Sequence, residues 1–203
     1  MNERQRRKMD LFLARFVEAM TAWGWSQRTI PGYEHNVRVF LDWLDEETDL
    51  VSLAEVAPKT LGAYQTDLLA EETASGSRLP ASTQHLRLGA VRAFFAFLSR
   101  EGELLVDPAR QLQLPKRRKS LPQALLTPRE AVRLLESIDT SAPLGLRDRA
   151  IVEVLYATGI RNAELRGLTL ADFDAEAGTL FVRAGKGGKD RVLPLGPVVT
   201  AVV

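Results

Sequence analysis

Apolar residues recur at helical spacing through the first half of this chain, and the pattern changes to alternation only near its end. Leu13, Phe16, Val17 and Met20 mark a first helix over Leu11 to Trp25. Ser26 and Thr29 are both suitable N-caps for a second, with Pro31 tolerated in its first turn. Its apolar stripe is Tyr33, Val37, Phe40, Leu41 and Leu44. A third helix is predicted from Pro58 to about Ala70 through Leu61, Tyr64 and Leu68. A polar loop, Glu71 to Pro80, separates it from the strongest of the four, Ser82 to Arg100. There Leu88, Val91, Phe94, Phe95 and Leu98 face a core and Gly102 supplies the stop.

From Leu114 to Pro122 the period is lost. Two prolines bracket four consecutive cations, Lys116, Arg117, Arg118 and Lys119, which reads as an extended, basic linker. A second helical start then follows. Thr127 and Glu130 have capping-box spacing with Pro128 at the first helical position. Leu146 to Thr158 is apolar on most sides, predicting a buried helix that contains Tyr156 and ends at Gly159. A short helix is expected from Asn162 to about Leu168. The period then becomes two, so Thr179 to Arg183 and Asp190 to Leu195 read as paired strands. Gly185 to Lys189 forms the glycine-rich turn between them.

Composition narrows the function classes. The chain has 203 residues, 45% of them hydrophobic and 26% charged, enough for one domain or two small ones. Disordered and collagen-like classes are excluded, and no apolar stretch has the ~20 uncharged residues of a membrane span. The basic N-terminus is followed by no apolar signal core, so export is not expected. With no cysteine and two distant histidines, His35 and His85, a metal site is not expected either. The default is a cytoplasmic protein working without metal. A net charge of +1 hides local clusters: acidic from Asp42 to Glu55, basic at Arg4 to Lys8, Lys116 to Lys119 and Arg183 to Arg191. Local positive patches of this kind suit a phosphate partner.

Three features carry candidate chemistry. At Thr158 to Leu165 a helix ends, the chain turns at Gly159, and Arg161 opens the next helix. Free amides and a forked guanidinium there suit an anion, and Glu164 is spaced to hold the arginine in one rotamer. The alternative is a surface Arg–Glu helix pair. The second feature is the hairpin with Lys186 at its tip, able to sit beside a phosphate as donor or general acid, or else an ordinary polar turn. The third is a stripe of small, polar and cationic residues on the fourth helix, Ser82, His85, Gly89 and Arg92, matched on the second helix by Thr29, Gly32, Asn36 and His35. Such stripes suit groove or phosphate contact, or form a plain solvent face.

Together these segments resemble a known family. Leu146 to Leu168, then Asp172, then Gly185 to Leu195, look like the first half of a tyrosine recombinase catalytic domain, as found in phage integrases and Xer-type site-specific recombinases. The arginine and hairpin-lysine segments fall in the right order, about 25 residues apart. The four upstream helices look like that family's core-binding domain, and the resemblance runs from about Leu11 to the end.

The resemblance implies a mainly α fold with a small antiparallel hairpin or sheet. An N-terminal four-helix SAM-like core-binding domain (1–112) and a basic linker (113–126) precede the first part of an α+β catalytic domain (127–203). It implies site-specific recombination or integration of double-stranded DNA through a 3′-phosphotyrosyl link, in a four-protomer synapse, with no cofactor. Residue by residue, Arg161 matches the first catalytic arginine, Lys186 the hairpin lysine and Glu164 the acidic supporter. Thr29, Ser82, His85, Arg87, Arg92, Lys116, Arg117, Arg118, Lys189 and Arg191 are the expected DNA contacts. The family's His-x-x-Arg segment and nucleophilic tyrosine have no match, since Tyr33, Tyr64 and Tyr156 all precede Arg161. The expectation is a chain that binds DNA weakly and does not cleave it alone, with Val198 to Val203 and the hairpin face exposed. The alternatives are a non-catalytic DNA-binding module and a helical interaction protein derived from such a recombinase.

Overall fold

Amphipathic periodicity becomes packing in a computed structural model, which describes residues 3–116, 125–183, 185 and 189–202. The chain divides into two compact units, Met1–Ser120 and Leu121–Val203.

The first unit is helical. Helices α1 (Glu3–Ala22), α2 (Ile30–Glu47), α3 (Pro58–Ala70) and α4 (Ala81–Arg100) enclose one apolar core, with a single 3-10 turn at Leu53–Glu55. The core is aromatic at its centre. Phe16, Phe40, Phe94 and Phe95 are fully buried. Phe40 meets Tyr64 and Phe95 edge-on at ring distances of 5.0 and 5.8 Å. Burying rings of this size is the main stabilising term for a bundle of such short helices.

Two boundaries differ from the sequence reading. Helix α1 starts at Glu3, eight residues early, because Met9 also packs into the core. It ends at Ala22 because the chain folds back, placing Trp25 edge-on against Tyr33 at 4.8 Å. At α2, Thr29 occupies the cap position in helical conformation and makes no side-chain cap. Its hydroxyl pairs instead with Ser26, whose Oγ accepts the Thr29 amide and so caps the turn before the helix.

The second unit contains α5 (Pro128–Glu136), α6 (Pro143–Thr158), the single-turn helix α7 (Asn162–Leu165), a three-stranded sheet and α8 (Pro197–Val202). The capping box forms as spaced: Thr127 Oγ1 accepts the Glu130 amide and Glu130 accepts the Thr127 amide. The strands β1 (Phe173–Asp174), β2 (Thr179–Val182) and β3 (Arg191–Pro194) are antiparallel in the order β1-β2-β3. Val182 pairs with Arg191 and Leu180 with Leu193. Strand β1 was not expected, being only two residues long.

Burial corrects two expectations here. Helix α6 is not sequestered: Val154 and Glu153 are buried, but Ile151, Val152 and Leu155 are half-buried and Tyr156 is 57% exposed. The unit's core is small: Val154, Ile160, Leu180, Val182, Leu195 and Val199. Val199 belongs to it, so the C-terminal segment is not wholly exposed as expected; Pro197–Val202 forms α8, which packs against α6. The opposite hairpin face does stay open, with Phe181 and Val192 exposed.

Candidate functional site

The best-built polar site lies where α6 gives way to α7. Gly159 ends α6 in the left-handed region (φ 61°), a conformation that a Cβ disfavours. Ile160 then plugs the small core, fixing the next residue, Arg161, at the surface. Arg161 is 57% exposed on its side chain, whereas Glu164 is only 6% exposed. Glu164 accepts the Arg161 backbone amide at 2.9 Å and its guanidinium at 3.0 Å. Arg191, from β3, adds a two-pronged contact at 3.0 and 2.7 Å. One buried carboxylate thus orients two guanidinium groups. These donors, Arg191 first and the Arg161 amide next, hold the Glu164 carboxyl well below the usual carboxylate range.

This geometry revises two parts of the sequence reading. The Arg161 amide is not free for an anion, because Glu164 has taken it. Helix α7 is also a single turn, so its dipole is small and the guanidinium is the feature able to meet an anion. Arg191 is placed differently from the expected DNA contact, facing inward onto Glu164. Strand parity held that signal: Arg191, Leu193 and Leu195 share one face, and Leu195 is buried.

The hairpin crosses close to this carboxylate. A Cβ at Gly185 would lie 2.8 Å from Arg191 Nη1, 2.9 Å from the Lys189 carbonyl and 3.0 Å from Glu164 Oε1. Only glycine fits there. Lys189 is exposed. Lys186 lies outside the described residues, as do Arg117 and Arg118. Nearby, buried Asp172 accepts Arg183 Nε at 2.6 Å and the Thr169 hydroxyl and amide, which pull its carboxyl down to about 2.

In the first unit, the stripe on α4 forms one wall of an open cleft of about 380 Å³ lined by Tyr33, His85, Gly89, Arg92 and Leu114. Nothing lies within 4 Å of a Cβ built on Gly89, so the backbone is approachable there. Ser82, Arg92, Lys116 and Thr29 are exposed. His85 is half-buried with Nδ1 2.9 Å from the Pro115 carbonyl, which fixes the start of the basic segment to α4. Arg87 is placed apart from this stripe. Its side chain is 16% exposed and paired with Glu71 at 2.6 Å. Helical spacing carried the signal, because Arg87 stands four residues before Val91, at the edge of the buried face. Among the described residues no cluster of three His, Cys, Asp or Glu side chains could hold a metal ion, and no helix is long and apolar enough to cross a membrane.

The Phage integrase family model matches residues 124–203, and that of the Phage integrase N-terminal SAM-like domain matches residues 13–102. The chain belongs to this family, the tyrosine recombinases.

Similar proteins include Tyrosine recombinase XerC 2 of Ralstonia nicotianae, 40% identical over 190 residues, which are 92% of this chain and 54% of that protein. Tyrosine recombinase XerD of Listeria innocua is 35% identical over 89% of this chain and 58% of its own length. The chain therefore spans a little over half the length of the curated relatives it matches. Among solved structures, a lambda integrase dimer bound to a COC' core site aligns with a TM-score of 0.66 at 19% identity, covering 91% of this chain and 48% of that one. The Tn1549 transposon integrase in complex with circular intermediate DNA gives 0.65 at 18% identity, covering 94% and 63%. These two support the fold. Family membership favours the recombinase reading over that of a helical interaction protein.

Proposed function

We propose that these residues bind duplex DNA and form part of the strand-transfer site of a site-specific tyrosine recombinase. The observation that carries this reading is the exposed Arg161 guanidinium fixed by the buried Glu164 carboxylate. In phosphoryl transfer the scissile phosphate gains charge on its non-bridging oxygens as the nucleophilic oxygen adds. A guanidinium already oriented there stabilises that charge without reorganising, which is the largest catalytic term such a site offers. Glu164 is the positioning group, Arg191 and Gly185 set Glu164, and Lys186 is proposed to give a proton to the departing 5′ oxygen. Exchange of one phosphoester for another conserves bond energy, so the reaction calls for no cofactor.

The stripe of exposed Thr29, Ser82 and Arg92 around Gly89, with Lys116 to Lys119 and Lys189, is the proposed DNA surface. His85 acts there as an anchor for the basic segment. DNA and further recombinase protomers are the proposed partners, and the cytoplasm the proposed site of action. None of the three tyrosines suits the nucleophile: Tyr64 is buried, Tyr33 packs on the first core, and Tyr156 lies on α6 before Arg161.

The test has two arms. In a gel shift the chain is expected to retain a recombination-site duplex at low salt, with affinity falling steeply and log-linearly as salt rises. On a nicked suicide duplex it is expected to form no covalent adduct. Loss of retention even at low salt would remove the DNA reading; an adduct would show that one of these tyrosines is the nucleophile.

A further inference from the structure

The first unit carries an acidic cleft that neither the fold nor the DNA reading requires. It measures about 550 Å³ and is lined by Asp42, Glu46, Glu47, Asp67 and Glu71, with Arg87 as the one guanidinium and Trp43 and Tyr64 as aromatic surface. Asp45, Glu46 and Glu47 occupy the last turn of α2, which contains no cation, although the helix dipole already places negative charge at that end. Among the described residues, Glu46 and Glu47 have no hydrogen bond or ion pair.

A second, independent observation comes from Tyr64. It is 2% exposed, and its hydroxyl is buried with no hydrogen-bond partner. The charges acting on that hydroxyl are Arg87 and Glu71 of the cleft wall. A sealed phenol without a partner is an unmet bond. All of these features ask for a cation that also offers N–H donors. The carboxylates are too dispersed for a metal ion, since no three of them converge among the described residues. A guanidinium fits: it stacks on an indole, forks onto carboxylates, and can donate to a phenol oxygen on displacing Arg87 from Glu71. The edge of this face already takes one, because Arg6 bridges Asp42 and Asp45 at 2.7 and 2.9 Å.

We propose that in the absence of DNA, which under the proposed function takes the same cations, this cleft binds the basic run Lys116-Arg117-Arg118-Lys119 of a second copy of this chain. The run is the longest unbroken string of cations in the sequence. Within one copy, the described residue that precedes it is held on the other side of α4 from Arg87. The run follows Pro115, whose carbonyl is held by His85, and His85 and Arg87 project ~200° apart around α4.

The experiment uses a fluorescein-labelled peptide of residues 113–122, a control peptide with its four cations replaced by glutamine, and the 203-residue chain at low salt. The native peptide is expected to bind at least about 10-fold tighter than the control. The double variant E46Q/E47Q is expected to weaken it about 5-fold or more while keeping its helical circular dichroism. Tyr64→Phe removes only an unpartnered hydroxyl, so it is expected to keep the wild-type Tm while weakening the peptide. Sedimentation velocity is expected to show concentration-dependent self-association that E46Q/E47Q abolishes. Equal binding of the two peptides, or an unchanged affinity in E46Q/E47Q, would overturn the site. A chain that stays monomeric well above the peptide Kd would overturn the second copy as occupant.

Discussion

Single side chains decide the chemistry here. Glu164 supports Arg161 only while Arg191 and Gly185 hold their places. Gly185→Ala forces a Cβ into Arg191, the Lys189 carbonyl and Glu164. The expected outcome is a loss of about 1–3 kcal/mol in the second unit, read from urea midpoints by far-UV circular dichroism. An unchanged midpoint would show that the hairpin gives way freely.

Asp172 offers a pH test. Its carboxyl ionises at about 2 in the folded chain against an ordinary 3.8, through the Arg183 hydrogen bond first and Thr169 next. Because the folded value is the lower one, the unfolded chain takes up the proton first. The stabilisation is therefore complete above about pH 4 and is lost as pH falls towards 2. Urea midpoints measured across that window should fall less steeply for Asp172→Asn than for the wild type. Equal slopes would mean that the Arg183 contact does not stabilise the fold.

At the scale of elements, helix starts and core stripes carry the energy. Thr127→Ala removes an N-cap whose oxygen accepts the Glu130 amide. A cost of about 1 kcal/mol is expected, with faster hydrogen exchange at the first amides of α5. Phe94→Ala empties a fully buried site where α4 meets α1, with the Phe16 ring 5.5 Å away. A cost of about 3–5 kcal/mol is expected, read as a lowered Trp-fluorescence midpoint.

These were also the elements most legible in the sequence. Helix α3 was read at its observed bounds and α4 within a residue, because long stripes with proline starts leave little choice. Strand β1 and α8 were missed, since two to six residues are too few to show a period. Helix α6 was misjudged as buried because its composition is apolar on several sides. Periodicity alone cannot say how much of such a surface its neighbours cover.

The whole molecule has two separate cores of very different size. Among the described residues, the first packs four helices around a dozen large, fully buried side chains, whereas the apolar cluster of the second has six buried members. Since buried apolar area dominates stability, the second unit should unfold first. All three tryptophans, Trp23, Trp25 and Trp43, lie in the first unit. A thermal ramp should therefore show an early far-UV transition that tryptophan fluorescence does not report. A single coincident transition would mean that the two units unfold as one.

The sequence by itself determined the four helices of the first unit, the Thr127–Glu130 capping box and the family, since each rests on local spacing along the chain. It also placed Arg161 beside Glu164, a contact three residues long. What tertiary structure alone decided was which charges face inward. Arg191 meets Glu164 from 27 residues away, and Arg87 meets Glu71, just past the end of α3, from 16 residues away. Both look like free cations in the sequence. Ion pairing across elements depends on how those elements pack, so packing gave both cations a carboxylate partner and left Arg92 exposed.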